Sequence, residues 1–65
     1  MTQLELARQL GMSAGYLWKI YNGYATPSNR MIIRMKPVTK MGVAWWKKAR
    51  LADIQILFNR IMEAA

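Results

Sequence analysis

Residues 2–23, TQLELARQLGMSAGYLWKIYNG, decide the fold of this 65-residue chain, because their pattern predicts two short helices joined by a tight turn. Thr2 precedes Glu5 by three residues, which is the spacing of a capping box at a helix start. Gly11 directly follows the first helical pattern, and a glycine in the left-handed conformation ends a helix at little cost. Ser13 then has the side chain to cap the second helix.

The second helix is predicted over residues 14–22, where Asn-Gly ends it. Its Leu17 and Ile20 share one helical face, and that face is predicted to point inward. The small Ala7 of the first helix allows close approach, which two helices joined by a three-residue turn require.

One motif spans about residues 2 to 28 without an insertion or a deletion. It comprises Leu6-Ala7-x-x-Leu10-Gly11-Met12-Ser13, then Leu17, Ile20, Asn22-Gly23 and Thr26-Pro27-Ser28. This motif resembles the Cro/C1-type (XRE-like) helix-turn-helix transcriptional regulators of phages and bacteria. A weaker resemblance, to the end of that family's fourth helix, is found in Val38-Thr39 and Met41-Gly42-Val43.

The resemblance implies an all-α fold, a small helix-turn-helix (lambda repressor-like) bundle of four to five short helices. It also implies that helix 14–22 enters the major groove of double-stranded DNA. The base-reading positions would be Ala14, Gly15 and Lys19. The phosphate-contacting positions would be Gln3, Ser13, Tyr16, Trp18, Asn22, Gly23, Tyr24 and Arg30. Arg34 would contact the DNA backbone in a similar way. The main-chain amides of residues 22–24 would also reach phosphate.

Two departures from the family pattern stand out. Met1 immediately precedes the first cap, so we expect this fold to do without the helix with which the family usually opens. Lys36-Pro37 interrupts the family's fourth helix, and proline inside a helix removes a hydrogen bond and clashes with the preceding turn. We therefore expect the third helix to kink at Pro37 or to stop near Met35.

The C-terminal segment 52–63 is predicted to supply the missing cover. Its stripe of apolar residues consists of Leu51, Ile54, Leu57, Phe58, Ile61 and Met62. We expect this helix to pack across the first two helices and to complete the core or a dimer interface, from its own chain or a swapped one. Ile56 falls on the opposite, polar face, where it is either an ordinary exposed residue or the mark of a second buried face. Residues 1–65 are thus expected to form one domain.

Composition narrows the classes of function. Ten Lys and Arg against three acidic residues give a net charge of +7, which favours polyanionic partners, nucleic acid first and anionic membrane second. The chain has no histidine and no cysteine, so we expect no enzyme activity, no catalytic or metal site, no cofactor and no small-molecule substrate. A hydrophobic fraction of 54% is high for so small a domain and leads us to expect a homodimer.

For several side chains, a purely structural role is the alternative to a role in binding. Trp18 is expected to be partly exposed, either against sugar-phosphate, against Lys47 and Lys48, or in a core or dimer interface. Of Trp45 and Trp46, we expect one in the core and one at an interface. The possible basic patch Lys47, Lys48 and Arg50 is either a phosphate-binding patch or a solvated face.

The sequence therefore predicts a sequence-specific, cytoplasmic DNA-binding regulator of phage or prophage type. The alternative is a protein-interaction module of antitoxin-like or anti-repressor kind on the same fold. A cationic membrane-active segment ranks last, because the polar face of helix 52–63 holds only Arg60 as a cation.

Overall fold

The computed structural model describes residues 1–64 and confirms an all-α fold of five short helices. They are α1 (Gln3–Leu10), α2 (Ala14–Tyr21), α3 (Asn29–Thr39), α4 (Val43–Lys48) and α5 (Leu51–Ala64). Within the described range, no helix has the length and apolar character needed to cross a membrane.

Three helices begin at a hydroxyl cap, because the first N–H groups of a helix lack carbonyl partners. The Oγ1 of Thr2 accepts a hydrogen bond from the Glu5 amide, at 3.2 Å. Ser13 accepts from Tyr16 at 3.1 Å at the start of α2, and Ser28 accepts from the third residue beyond it at the start of α3. The caps at Thr2 and Ser13 confirm the predicted starts of the first two helices.

The turn between α1 and α2 also has the predicted chemistry. Gly11 lies in the left-handed region with φ of 74°, and its amide donates to the carbonyl of Arg8. The amide of Met12 donates back to the carbonyl of Ala7. Because these bonds satisfy carbonyls at the end of α1, the chain can reverse within three residues.

The core lies where α1, α2, α3 and α5 meet, and α4 adds Trp46. Of the predicted stripe of α5, Leu57 and Phe58 are buried, whereas Leu51 is 40% exposed because it lies at the first position of the helix. Its buried apolar members are Leu6, Ala7, Leu10, Leu17, Ile20, Ile32, Met35, Trp46, Leu57 and Phe58. Trp46 is the core member of its tryptophan pair, as expected, and Trp45 packs against it edge to face. Helix α5 thus supplies cover from within its own chain.

The packing partners of α5 differ from the expectation. The helix packs on α2 and α3, whereas we expected it to cross α1 and α2. The reason is that α3 itself packs against α1, and its Ile32 and Met35 are buried in the shared core. The start of the chain nevertheless meets the end of α5, because the amino group of Met1 donates to the carbonyl of Met62 at 3.0 Å.

The expected end of the third helix near Met35 is wrong. Helix α3 continues through Pro37 to Thr39, and Lys40 then closes it in the left-handed conformation with φ of 64°. The proline lies in the last turn, so only one intrahelical hydrogen bond is lost, and its ring is exposed. The amide of Lys40 donates to the carbonyl of Lys36 at 2.8 Å, which completes the final turn.

Candidate nucleic-acid interface

The candidate site is the solvent face of α2, and the core holds the opposite face of that helix. Leu17 and Ile20 are buried, and α2 packs closely on α1 across the three-residue turn. Tyr21 is tied to α5 by two hydrogen bonds: its hydroxyl donates to Oδ1 of Asn59 at 3.1 Å, and its carbonyl accepts from Gln55 at 2.9 Å. These contacts fix how α2 is rotated about its own axis.

The outer face contains two of the three predicted base-reading positions. Gly15 and Lys19 are four residues apart and both exposed, so they lie one turn apart on the same side of α2. A Cβ added to Gly15 would have no neighbour within 4 Å. Ala14 differs, because it is half-buried and packs against the core at the edge of this face. The first turn of α2 contains no acidic residue.

An exposed aromatic pair borders the same face. The rings of Trp18 and Tyr24 are stacked, with centroids 5.4 Å apart and planes within 10°. Trp18 is 50% exposed and Tyr24 is 73% exposed. The partial exposure of Trp18 was expected, but its partner was missed: the stack depends on the turn at Gly23, which helical periodicity does not describe.

The loop after α2 corrects one expectation about phosphate contacts. The amides of Asn22, Gly23 and Tyr24 already donate to carbonyls of α2, at 3.0, 3.2 and 2.8 Å. They are therefore not free to bind phosphate, and only side chains of this loop remain for that role. Asn22 uses its side-chain amide to cap the carbonyl of Trp18, and it lies one residue beyond the end of α2 rather than inside the helix as predicted.

The remaining predicted phosphate positions lie at helix starts. Gln3 is the first residue of α1 and is half-buried. Ser13 is exposed at the cap of α2, and Tyr16 is half-buried against the core. Arg30 is exposed in the first turn of α3.

Arg34 lies at the turn between α1 and α2. Its Nε is 3.2 Å from the position that a Cβ on Gly11 would take. The guanidinium of α3 therefore lies beside the turn that leads into α2, a neighbour that spacing along the chain does not predict. This placement adds positive charge next to the start of the candidate site.

The possible basic patch is divided between the end of α4 and the chain that leads into α5. Lys47 and Lys48 are exposed in the last turn of α4, which packs on α3. Arg50 is exposed at the start of α5, where its backbone amide donates to Oδ2 of Asp53 at 3.0 Å. The side chains of this patch are thus open to solvent.

A separate groove of about 190 Å³ lies between α5 on one side and α4 with the preceding Met41 on the other. It is lined by Met41, Trp45, Asp53, Ile56, Leu57 and Arg60.

Comparison of this chain with family models, with curated proteins and with solved structures finds no match.

Proposed function

We propose that the chain is a sequence-specific double-stranded DNA-binding regulator of Cro-like type, which binds as a homodimer with α2 in the major groove. The observation that carries the proposal is the outer face of α2. It is exposed at Gly15 and Lys19, its first turn has no acidic residue, and its opposite face is buried. A helix held in this way is what insertion into a groove requires.

Charge supports the same partner. The net charge of +7 draws the chain toward phosphate, and Arg34 and Arg30 lie on the helix beside the α1–α2 turn. The helix dipole favours an anion at the start of α2, where Ser13 already accepts from the Tyr16 amide. The proposed sequence of events is electrostatic docking on the backbone, followed by insertion of α2.

Within this proposal the exposed residues of α2 take distinct roles. Lys19 donates to guanine O6 and N7, which is a specific contact in the major groove. Gly15 contributes by allowing the backbone to approach the bases closely. Ala14 presents only part of its methyl group, because it is half-buried. Two-fold symmetry would place half-sites about one helical turn, or ~10 bp, apart.

The test is binding to an array of random duplexes at physiological salt. Lys19→Ala should cost about 1–3 kcal/mol on the preferred sequence and relax the preference at one base pair. Lys47→Ala is the matched control, since it removes the same charge from α4 and should affect all sequences alike. Equal loss on every duplex for Lys19→Ala would remove that residue from the base-reading set, and no binding to any duplex by the folded chain would overturn the proposal.

A protein-interaction module of antitoxin-like or anti-repressor kind is the second candidate. The exposed stack of Trp18 on Tyr24 favours it, because aromatic side chains are enriched among residues that dominate protein interfaces. The same array separates the two functions, since this module would leave every duplex unbound.

A further inference from the structure

We infer that the groove between α4 and α5 is the face through which two copies of this chain associate, with their α5 helices antiparallel. This inference names the contact surface of the proposed homodimer. It depends on the homodimer of the proposed function and not on DNA binding, because the association is expected without DNA.

The first observation is an exposed apolar side chain beside a groove that holds both apolar and charged residues. Ile56 is 55% exposed, although α5 has a well-packed inner face. It borders the groove together with Trp45 and Leu57. The isoleucine of a second copy could pack against these apolar residues, and its own apolar surface would leave water at the same time.

The second observation is that the charges at the groove are self-complementary. Asp53 and Arg60 both line it, and they lie equally far along α5 from the point between residues 56 and 57. A two-fold axis through that point places Asp53 opposite the partner's Arg60. By symmetry the dimer then contains two such ion pairs. The same axis brings the two exposed Ile56 side chains next to each other, so apolar contacts lie at the centre and ion pairs at both ends.

The third observation is the charge of α5 itself. Its side chains comprise two acidic residues, Asp53 and Glu63, against one basic residue, Arg60, which is a net charge of −1. The whole chain carries +7, so the other segments together carry +8. Two copies that meet through α5 therefore avoid the repulsion that contact through the basic helices would produce. Such a dimer also leaves α2 out of the contact.

The experiment is sedimentation of the full chain without DNA over a series of concentrations. We expect a shift from monomer to dimer in the micromolar range, because one pair of short helices makes a small interface. Ile56→Lys should abolish the dimer, whereas Ile33→Lys is the control, since Ile33 is a similarly exposed isoleucine, 66% exposed, on α3. A monomer at every concentration up to about 1 mM would overturn the inference and would leave the groove to a different protein.

Charge reversal tests the antiparallel register. Asp53→Lys and Arg60→Asp each place like charges opposite each other twice, so each variant alone should be a monomer. An equimolar mixture should form a heterodimer, because the two substituted side chains then face each other and the two native ones do the same. Two monomeric variants that stay monomeric when mixed would refute this register.

Asp53 also accepts a hydrogen bond from the Arg50 amide, so Asp53→Lys can weaken the start of α5. A second measurement avoids that dependence. The chain has no cysteine, so Ile56→Cys gives a single thiol beside the proposed axis, and oxidation should link two copies. Ile33→Cys should remain uncoupled under the same conditions. Equal disulfide coupling of both cysteine variants would contradict the proposed dimer face. If Trp18→Ser abolished the dimer and Ile56→Lys did not, the contact between copies would lie elsewhere.

A chain that binds duplex DNA but never self-associates would overturn this inference alone. A chain that dimerises through Ile56 but binds no duplex would overturn the DNA-binding proposal alone.

Discussion

The hydroxyl of Tyr21 lies 3.1 Å from Oδ1 of Asn59 and donates a hydrogen bond to it across 38 positions of sequence. The carbonyl of the same tyrosine accepts from the side chain of Gln55. One residue at the end of α2 is therefore bonded twice to α5. This pairing makes the C-terminal helix part of what orients the candidate DNA-binding face.

Tyr21→Phe should lower the stability of the folded chain by about 0.5–1.5 kcal/mol, because a half-buried hydrogen bond is lost while the ring remains. In a domain of this size, 1 kcal/mol corresponds to a change of roughly 4–8 °C in melting temperature. Tyr24→Phe is the matched control, since Tyr24 is largely exposed. Equal melting temperatures for Tyr21→Phe and the parent would show that the bond to Asn59 contributes no stability.

Truncation after Arg50 should unfold the whole domain, because it removes Phe58 and Leu57 from the core shared with α2 and α3. Phe58→Ala in the full chain should cost about 3–5 kcal/mol, a large part of the total stability of so short a chain. Ile33→Ala, at an exposed site, should have little effect. Circular dichroism and thermal melting measure all three, and cooperative melting of the truncated chain would disprove this role of α5.

Gly11→Ala and Gly15→Ala should change stability in opposite directions. Gly11 has φ of 74°, and a Cβ there would lie 3.2 Å from Arg34, so alanine should cost about 1–2 kcal/mol. Gly15 is helical with open space around it, so alanine should stabilise by roughly 0.5–1 kcal/mol.

The proposed DNA binding gives the Gly15 variant a second effect to measure. If close approach of α2 to the bases matters, Gly15→Ala should weaken binding while it raises the melting temperature. Unchanged affinity in the stabilised variant would show that Gly15 has no part in the contact.

Salt should weaken DNA binding steeply. With about 5 phosphate contacts, the logarithm of affinity should fall against the logarithm of salt with a slope of about −4 to −5. Arg34→Ala should reduce the magnitude of that slope by about 1 if its guanidinium, beside the α1–α2 turn, contacts a phosphate. Titration of one duplex at several salt concentrations gives both slopes, and identical slopes would remove Arg34 from the contact set.

The sequence predicted the local features of the candidate site because the interactions that produce them lie within a few residues. The cap at Ser13 and the left-handed Gly11 are chemical preferences of single residues, and both were found where expected. The exposure of Lys19 follows from helical periodicity, since Leu17 and Ile20 take the inward face. The expected stop near Met35 was wrong, because proline is tolerated in a last turn that loses only one bond.

The sequence by itself thus determined the all-α class, the two-helix unit around Gly11 and the apolar stripe of the last helix. The tertiary structure alone decided which surfaces meet: α5 on α2 and α3, Trp18 on Tyr24, and Arg34 beside Gly11. The physical reason is the distance along the sequence between the residues that interact. Caps and helical faces depend on residues three or four positions apart, whereas these contacts depend on how the shapes of distant segments fit once the shared core has formed.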